Sequence, residues 1–519
     1  MRTLSFLKIC LAGLLSCLLL GSCTRGISPA TYLIPKDALF ATRANVLRAT
    51  YQVPDWREIF KEELQVNLTA DSVNGPGTFL GSGKAFVFGD LLKKEKNYVA
   101  FAVAVRSKKA LERFLHRIST DFETFRYKNF KYTVRNRNVL AWSNNILLII
   151  NNRQALNDEE LKNQFFRIVN QKKSEALYSQ NANFRLAMKN DYDFSVWVNF
   201  EGIKSAGFLQ EYVKNIDLKG NYLHLLANFD EGKISAKTEY FTSPEFYKSY
   251  QNLLSGTIRP EILKNAPVPK PVIMTAVSVN PQGIGKLLKD IEWTEKANNM
   301  AKSITLNLDQ VIEMMRGDIV LIVNKNKKAQ MPLDSNAIDP PKPNDLVVGF
   351  GLKNMAVYDT LQAVLKRTNM LEDKKDYQLF FEEIYVMKKD SIVYFSKNEL
   401  VKNDFVEGHT LENPNLLKFN DNSWFMLHAE QEVSADNFKG KKNLLKEVAR
   451  SLLKKENLKL EEATIHLSNI KDDKDMGGET VVLLKDKTAN SLLTMLEVLK
   501  EIIYQTKMRI DPNYQIKDN

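Results

Sequence analysis

The sequence predicts an α+β fold of duplicated, mainly antiparallel sheet lobes with helices packed on one face: four related βαββα-type lobes in two halves. Three observations predict it. Runs rich in Val, Ile, Phe and Tyr alternate with helical stretches of about ten to fifteen residues. Neighbouring runs are joined by tight polar turns such as Asp230-Glu231-Gly232-Lys233, which favours antiparallel pairing. The order of these elements then recurs along the chain.

The N-terminus comes first. Arg2 and Lys8 precede an apolar stretch from Ile9 to Leu20, the charge and length pattern of a secretory signal peptide, and too short to favour a membrane span. It ends in Leu20-Gly21-Ser22-Cys23, which resembles the lipobox of bacterial lipoproteins, where small residues precede a cysteine that takes a diacylglycerol before cleavage. Residues 1–22 are therefore expected to be removed and Cys23 lipidated. Residues 23–34 form a tether whose reach, fully extended, is roughly 35 Å. Cys10 and Cys17 lie in the removed peptide, so the mature chain keeps no second thiol for a disulfide or a cysteine metal site.

The N-terminal half, residues 35–265, opens with Pro35-Lys36-Asp37-Ala38 leading into an extended run through Asn45. A helix is expected around Asp55–Leu64, then strands Lys84–Phe88 and Tyr98–Val105, a helix Ser107–Ile118, and a hairpin of Tyr132–Trp142 with Ile146–Asn151. This longer lobe, about 35–172, is followed by a shorter one, about 173–265. The shorter lobe has strands Phe194–Phe200, Tyr222–Phe229 and Ile234–Tyr240, and a helix started by Ser243-Pro244-Glu245, a cap with proline at the first helical position.

The C-terminal half, residues 266–519, replays the order after a stiff joint, Ala266-Pro267-Val268-Pro269-Lys270-Pro271. Its longer lobe, about 266–405, has an extended run Pro271–Asn280, helical sequence up to Met315, strands Asp318–Val323 and Leu346–Leu352, and a helix Met355–Arg367. A hairpin of Tyr377–Met387 with Ile392–Ser396 closes it. Its shorter lobe, about 406–510, carries strand Trp424–Ala429, helix Lys441–Lys455, strands Ala463–Ile470 and Glu479–Lys485, and a last helix Thr488–Ile502. The proline-rich segment Met331–Asn344 is expected to be a surface loop.

The lipobox, the opening Ile34-Pro35-Lys36-Asp37-Ala38-Leu39-Phe40 and the twofold organisation together resemble an uncharacterised family of Bacteroidota lipoproteins, classed only as a domain of unknown function. The resemblance covers most of the mature chain. It brings no activity, no cofactor and no catalytic residue. With no acidic run after Cys23, it implies the periplasmic face of an outer membrane.

No candidate for chemistry survives comparison with its structural alternative. His116, His224, His409, His428 and His466 lack local metal spacing, and His224 and His466 occupy corresponding strands of the two short lobes, as a duplicated structural position would. Gly75–Lys84 resembles a phosphate loop but has Ala85 where the metal-binding hydroxyl belongs, and reads as a turn entering a strand. Ser451-Leu452-Leu453-Lys454 fits a Ser-x-x-Lys pattern without its companion motifs. Arg316-Gly317-Asp318 is expected to be a turn, and Asp472–Glu479 a hairpin tip rather than a calcium loop. Glu382 and Glu383, neighbours on an expected strand, would point to opposite faces.

The formal charge is +11, falling to +9 without Arg2 and Lys8, but the lysines are scattered beside Glu and Asp, which argues against nucleic acid. The expectation is a non-enzymatic binding or scaffold protein of the envelope, with no cofactor or metal, held to the membrane by its lipid. Its partners would be an envelope protein and, at the bilayer, anionic lipid or lipopolysaccharide. A carrier or sensor of a lipid or other small ligand is the second reading, and an envelope hydrolase the third.

Overall fold

In the computed structural model the chain is α+β and its sheets are antiparallel, as the sequence predicts. The structure describes residues 27–45, 80–90, 92, 97–118, 123–135, 137–152, 157–204, 213–253, 256–303, 306–324, 346–412, 423–430, 460–469 and 475–495. Cys23, the expected helices Asp55–Leu64 and Lys441–Lys455, Ser451–Lys454 and the Met331–Asn344 loop lie outside the described residues. Two compact units divide the chain: residues 1–211, 218–241 and 486–519, and residues 212–217 with 242–485.

The first unit contributes β1 (Phe40–Asn45), β2 (Leu80–Asp90), β3 (Tyr98–Val105), β4 (Phe125–Tyr127) and β5 (Phe130–Arg135). It continues with β6 (Asn138–Trp142), β7 (Ile146–Asn151), β8 (Phe194–Asn199), β9 (Tyr222–Asp230) and β10 (Lys233–Phe241). Every pairing is antiparallel, in the spatial order β4-β5-β6-β7-β3-β2-β1-β8-β9-β10. One sheet thus spans what the sequence divides into a longer and a shorter lobe, with Ala41 of β1 opposite Trp197 of β8 at the seam.

The second unit repeats the order strand for strand. Its members are β11 (Pro271–Ser278), β12 (Met315–Asn324), β13 (Leu346–Leu352), β14 (Leu371–Asp373) and β15 (Gln378–Phe380), then β16 (Ile384–Lys389), β17 (Ile392–Ser396), β18 (Ser423–Glu430), β19 (Leu460–Asn469) and β20 (Asp475–Leu484). They lie in the order β14-β15-β16-β17-β13-β12-β11-β18-β19-β20, with Ala276 opposite Met426 at the seam. Ala266 and Val268 of the proline-rich joint are fully buried in this unit's core beside Ile262 and Leu263.

The expectation of helices on one face is corrected. Helix Asp158–Asn170, capped by Asn157 accepting from the Glu160 N–H, packs Leu161, Phe165 and Ile168 against Phe86, Tyr132 and Leu148. Helix Lys108–Ile118 serves the opposite face: its Glu112 accepts hydrogen bonds from Lys131 Nζ (2.8 Å) and Trp142 Nε1 (3.2 Å), which alternate with the inward Tyr132 and Ala141. In the second unit, helices Pro260–Lys264 and Glu399–Val406 pack on Met274, Ile322 and Tyr394, while Met314 and Tyr358 cover Leu352 and Val393. The physical reason lies in β3, Tyr-Val-Ala-Phe-Ala-Val-Ala-Val, apolar at successive positions and so in need of cover on both sides.

Three local expectations also change. Tyr132–Trp142 and Tyr377–Met387 are each two strands, broken by turns in which Arg137 (φ 62°), Phe381 (φ 50°) and Glu382 (φ 57°) adopt the left-handed conformation. Glu382 and Glu383 therefore sit in a turn. Arg316-Gly317-Asp318 lies inside β12 at a bulge, where Gly317 has φ 107° and a Cβ would meet the Val279 carbonyl oxygen at 1.9 Å. There Asp318 accepts from Ser278 Oγ (2.8 Å) and Arg316 Nε (2.6 Å), which makes the tripeptide part of a buried strand register. Gly83 and Lys84 likewise belong to β2, which begins at Leu80.

Candidate functional site

The described residues with the most organised chemistry lie on β8, β9 and β10. His224 on β9 is opposite Trp197 on β8 and Glu239 on β10, so alternation puts all three on one sheet face, with Ser195 two residues along β8. Ser195 Oγ is 2.8 Å from His224 Nε2, and His224 Nδ1 is 3.1 Å from Glu239 Oε2. This is the connectivity of a nucleophile, a base and an orienting carboxylate. None of the three was singled out as a group by the sequence, because their proximity depends on the register of three strands.

Burial decides what this line of groups can do. Ser195 and His224 are both 0 % exposed, so no acyl or phosphoryl group reaches the hydroxyl. On the Ser195 side, Arg43 of β1 is directly opposite, and its guanidinium donates to the carbonyls of Met188 (2.8 Å), Asn190 (2.5 Å) and Tyr192 (3.1 Å). Those bonds hold segment 188–192 in place beside the serine. Burial lowers the Arg43 pKa to about 10, so the group stays a cation. Lys84 beside it is pushed down by its own burial first and by the Arg43 charge second.

The second sheet supplies an internal control. His466 occupies the register position of His224, opposite Met426 on β18 and Glu479 on β20. The His–Glu cross-strand position is therefore duplicated, whereas the Ser195 counterpart falls at an irregularity between Ser423 and Phe425. A register position kept in both copies, without the nucleophile's counterpart in the second, reads as sheet architecture, in line with the duplicated-position reading of His224.

The carboxylate has a measurable consequence. Glu239 is held down from its ordinary 4.5 to about 2, first by the hydrogen bond from His224 and then by Lys237 at 2.8 Å, against the opposing effect of burial. A depressed carboxyl contributes stability that is complete above pH 4.5 and lost as pH falls towards 2. Discounted for the solvent around Lys237, that contribution is about 1–2 kcal/mol. Glu239→Gln is expected to lower the urea midpoint at pH 7 and to lower it by about half as much or less at pH 3, compared with the parent at each pH. An equal loss at both would show that charge is not the source.

Two other features complete the survey. A cleft of about 340 Å³ is lined by Pro35, Lys36, Asp37, Arg167, Gln171 and Glu175, but its charges offset one another, with Arg167 3.7 Å from Asp37. Gln171 donates to the carbonyls of Tyr32 (3.0 Å) and Ile34 (3.3 Å), which makes it a chain fastener. Among the described residues no group of three or more His, Cys, Asp or Glu is placed to hold a metal ion.

The second feature is apolar and recurs in both units. On the sheet face opposite His224, Thr42, Val196 and Leu225 form one cross-strand row, with Phe40, Val198 and Leu223 beside it, all half-buried. In the second unit the corresponding row is Thr275, Leu427 and Ile465; on the other side of Thr275 it continues to Leu321 of β12, with Val323 and Leu346 in the next row. Leu321 is 41 % and Leu346 45 % exposed.

The sequence matches the family model described as a domain of unknown function (DUF4836) over residues 81–404. Among solved structures, crystal form IV of TP0453 resembles the chain at 8 % identity, covering 44 % of this chain and 86 % of that one, with a TM-score of 0.27. Crystal form I of TP0453 does so at 6 %, 43 % and 81 %, with a TM-score of 0.26. A comparison with curated proteins returned no match.

Proposed function

The chain belongs to the DUF4836 family, a domain of unknown function, and we propose that it is a lipid-anchored envelope protein that binds a protein partner. The observation that carries this reading is the half-buried apolar row repeated on both sheets, continued in the second by the exposed Leu321 and Leu346 on β12 and β13. The sealed Ser195–His224–Glu239 line supports it from the other side, since the best-organised polar groups are spent inside the sheet. Leu20-Gly21-Ser22-Cys23 supports the anchor, and the sequence after it supports the periplasmic face of an outer membrane.

Two measurements test the two parts. Cys23→Ala is expected to abolish labelling with a palmitate analogue and to move the protein from the membrane to the soluble fraction; a variant that still labels and sediments with membrane overturns the anchor. For the partner, the tagged chain is extracted in mild detergent and everything that co-purifies is weighed by mass spectrometry. One protein in stoichiometric amount, lost from Leu321→Glu and Leu346→Glu samples, is the expected result. A defined lipid or small molecule in its place makes the protein a carrier instead.

A further inference from the structure

The helices between β11 and β12 carry an exposed feature that the apolar sheet face does not account for. Helix Pro281–Asp290 is followed by Trp293 and helix Thr294–Ser303. Trp293, Lys296 and Met300 fall at the i, i+3 and i+7 positions and so share one helix face. Trp293 is 38 % and Met300 66 % exposed, and Lys296 Nζ lies 4.2 Å from the Trp293 ring centroid. A helix that packs inward hides its large apolar groups, whereas this one turns an aromatic ring and a thioether outward with a cation between them.

Charge around the stripe is unevenly distributed. Asp290 is paired with Lys286 at 2.9 Å and also accepts from Tyr250, and Glu292 is paired with Lys214 at 2.6 Å. With those carboxylates neutralised, the exposed Lys289, Lys296 and Lys302 outnumber Glu295. Tryptophan beside lysine on an amphipathic face is the chemistry of a bilayer interface, where the ring sits at headgroup depth and the ammonium groups meet lipid phosphates.

We infer that Trp293, Lys289, Lys296 and Met300 form a docking surface for an anionic phospholipid bilayer. The surface gains its relevance from the proposed acyl anchor, because a tether with a reach of roughly 35 Å keeps the body beside the membrane, where weak contacts become effective. Its chemistry does not depend on that anchor, which lets the two be tested apart.

The test uses the full chain carrying Cys23→Ala, so that no acyl group contributes, co-sedimented with vesicles of phosphatidylcholine alone or mixed three to one with phosphatidylglycerol. The leader is the same in the parent and in every variant, so the differences among them report on the stripe alone. Binding is expected to be at least several-fold stronger to the anionic vesicles and to weaken from low to physiological salt. Lys289→Glu with Lys296→Glu should lower it about tenfold or more, and Trp293→Ala with Met300→Ala several-fold. These side chains are exposed, and circular dichroism of each variant confirms that it is folded. Equal binding to both vesicle types, or variants that bind as the parent does, overturns the proposal. Self-association that disappears with Trp293→Ala would assign the stripe to a second copy of the chain and equally overturn the bilayer.

Discussion

Trp197→Ala is expected to destabilise the first unit by about 3–5 kcal/mol, the range for emptying an aromatic site in a packed core. Trp197 is 0 % exposed at the seam between β1 and β8. Its ring stacks on Tyr222 at 4.9 Å, meets Phe184 edge-on at 5.4 Å and lies 5.6 Å from Phe241. These neighbours come from a helix and two other strands, so no single shift closes the space an alanine leaves. Urea unfolding followed by circular dichroism reads the loss, and Trp197→Phe should recover more than half of it. A loss below about 1 kcal/mol for the alanine variant would mean that the seam holds without this ring.

Arg43→Met is expected to cost a similar amount, about 3–5 kcal/mol, for a different reason. The substitution keeps most of the aliphatic stem but leaves the carbonyls of Met188, Asn190 and Tyr192 without their charged donor in a region that excludes water. Arg43→Lys should rescue little, since a single ammonium cannot span three carbonyls that the planar guanidinium serves together. Limited proteolysis supplies the second readout: cleavage within 188–192 should accelerate in both variants. Parent-like cleavage would show that the segment is held by other means.

Much of the fold was legible where the sequence carries a mechanism. Met355–Arg367 ends where expected because Asn354 caps its first N–H groups and Lys366 and Arg367 close its last turn. Ser107 does the same for Lys108–Ile118, its Oγ accepting from the Ala110 N–H at 3.3 Å. The small strands β4 and β14 and the turns after β5 and β15 were not legible. Those turns place Arg137, Phe381 and Glu382 in the left-handed region, and the one after β15, Phe381-Glu382-Glu383, contains neither glycine nor asparagine to announce it. Cover on both faces was encoded in β3, whose unbroken apolar run departs from alternation, but recognising it required knowing that the strand is central.

The site follows the same division. His224 and His466 were legible as one duplicated position, and the register of β9 and β19 agrees. The neighbours of His224 were not, because Ser195 and Glu239 become adjacent only once three strands are aligned, and nothing in the local sequence of either residue signals it. Arg43 was read simply as part of an extended run. A lone cation in a strand has no periodic signature, and its role comes from carbonyls that the chain supplies only after residue 187.

That last point bears on the order of assembly. β1 lies at the middle of its sheet, yet of its two neighbours only β2 follows it closely along the chain; Phe40 must wait for Val198 before its other edge is filled. The second unit repeats the delay, with Ile273 waiting for Ala429. A polypeptide made from its N-terminus therefore carries an open central strand through most of the synthesis of each unit. Such long-range closure slows folding and lengthens the interval in which a growing chain is open to misassociation, so the duplicated sheet places its greatest demand on the machinery that accompanies the nascent protein.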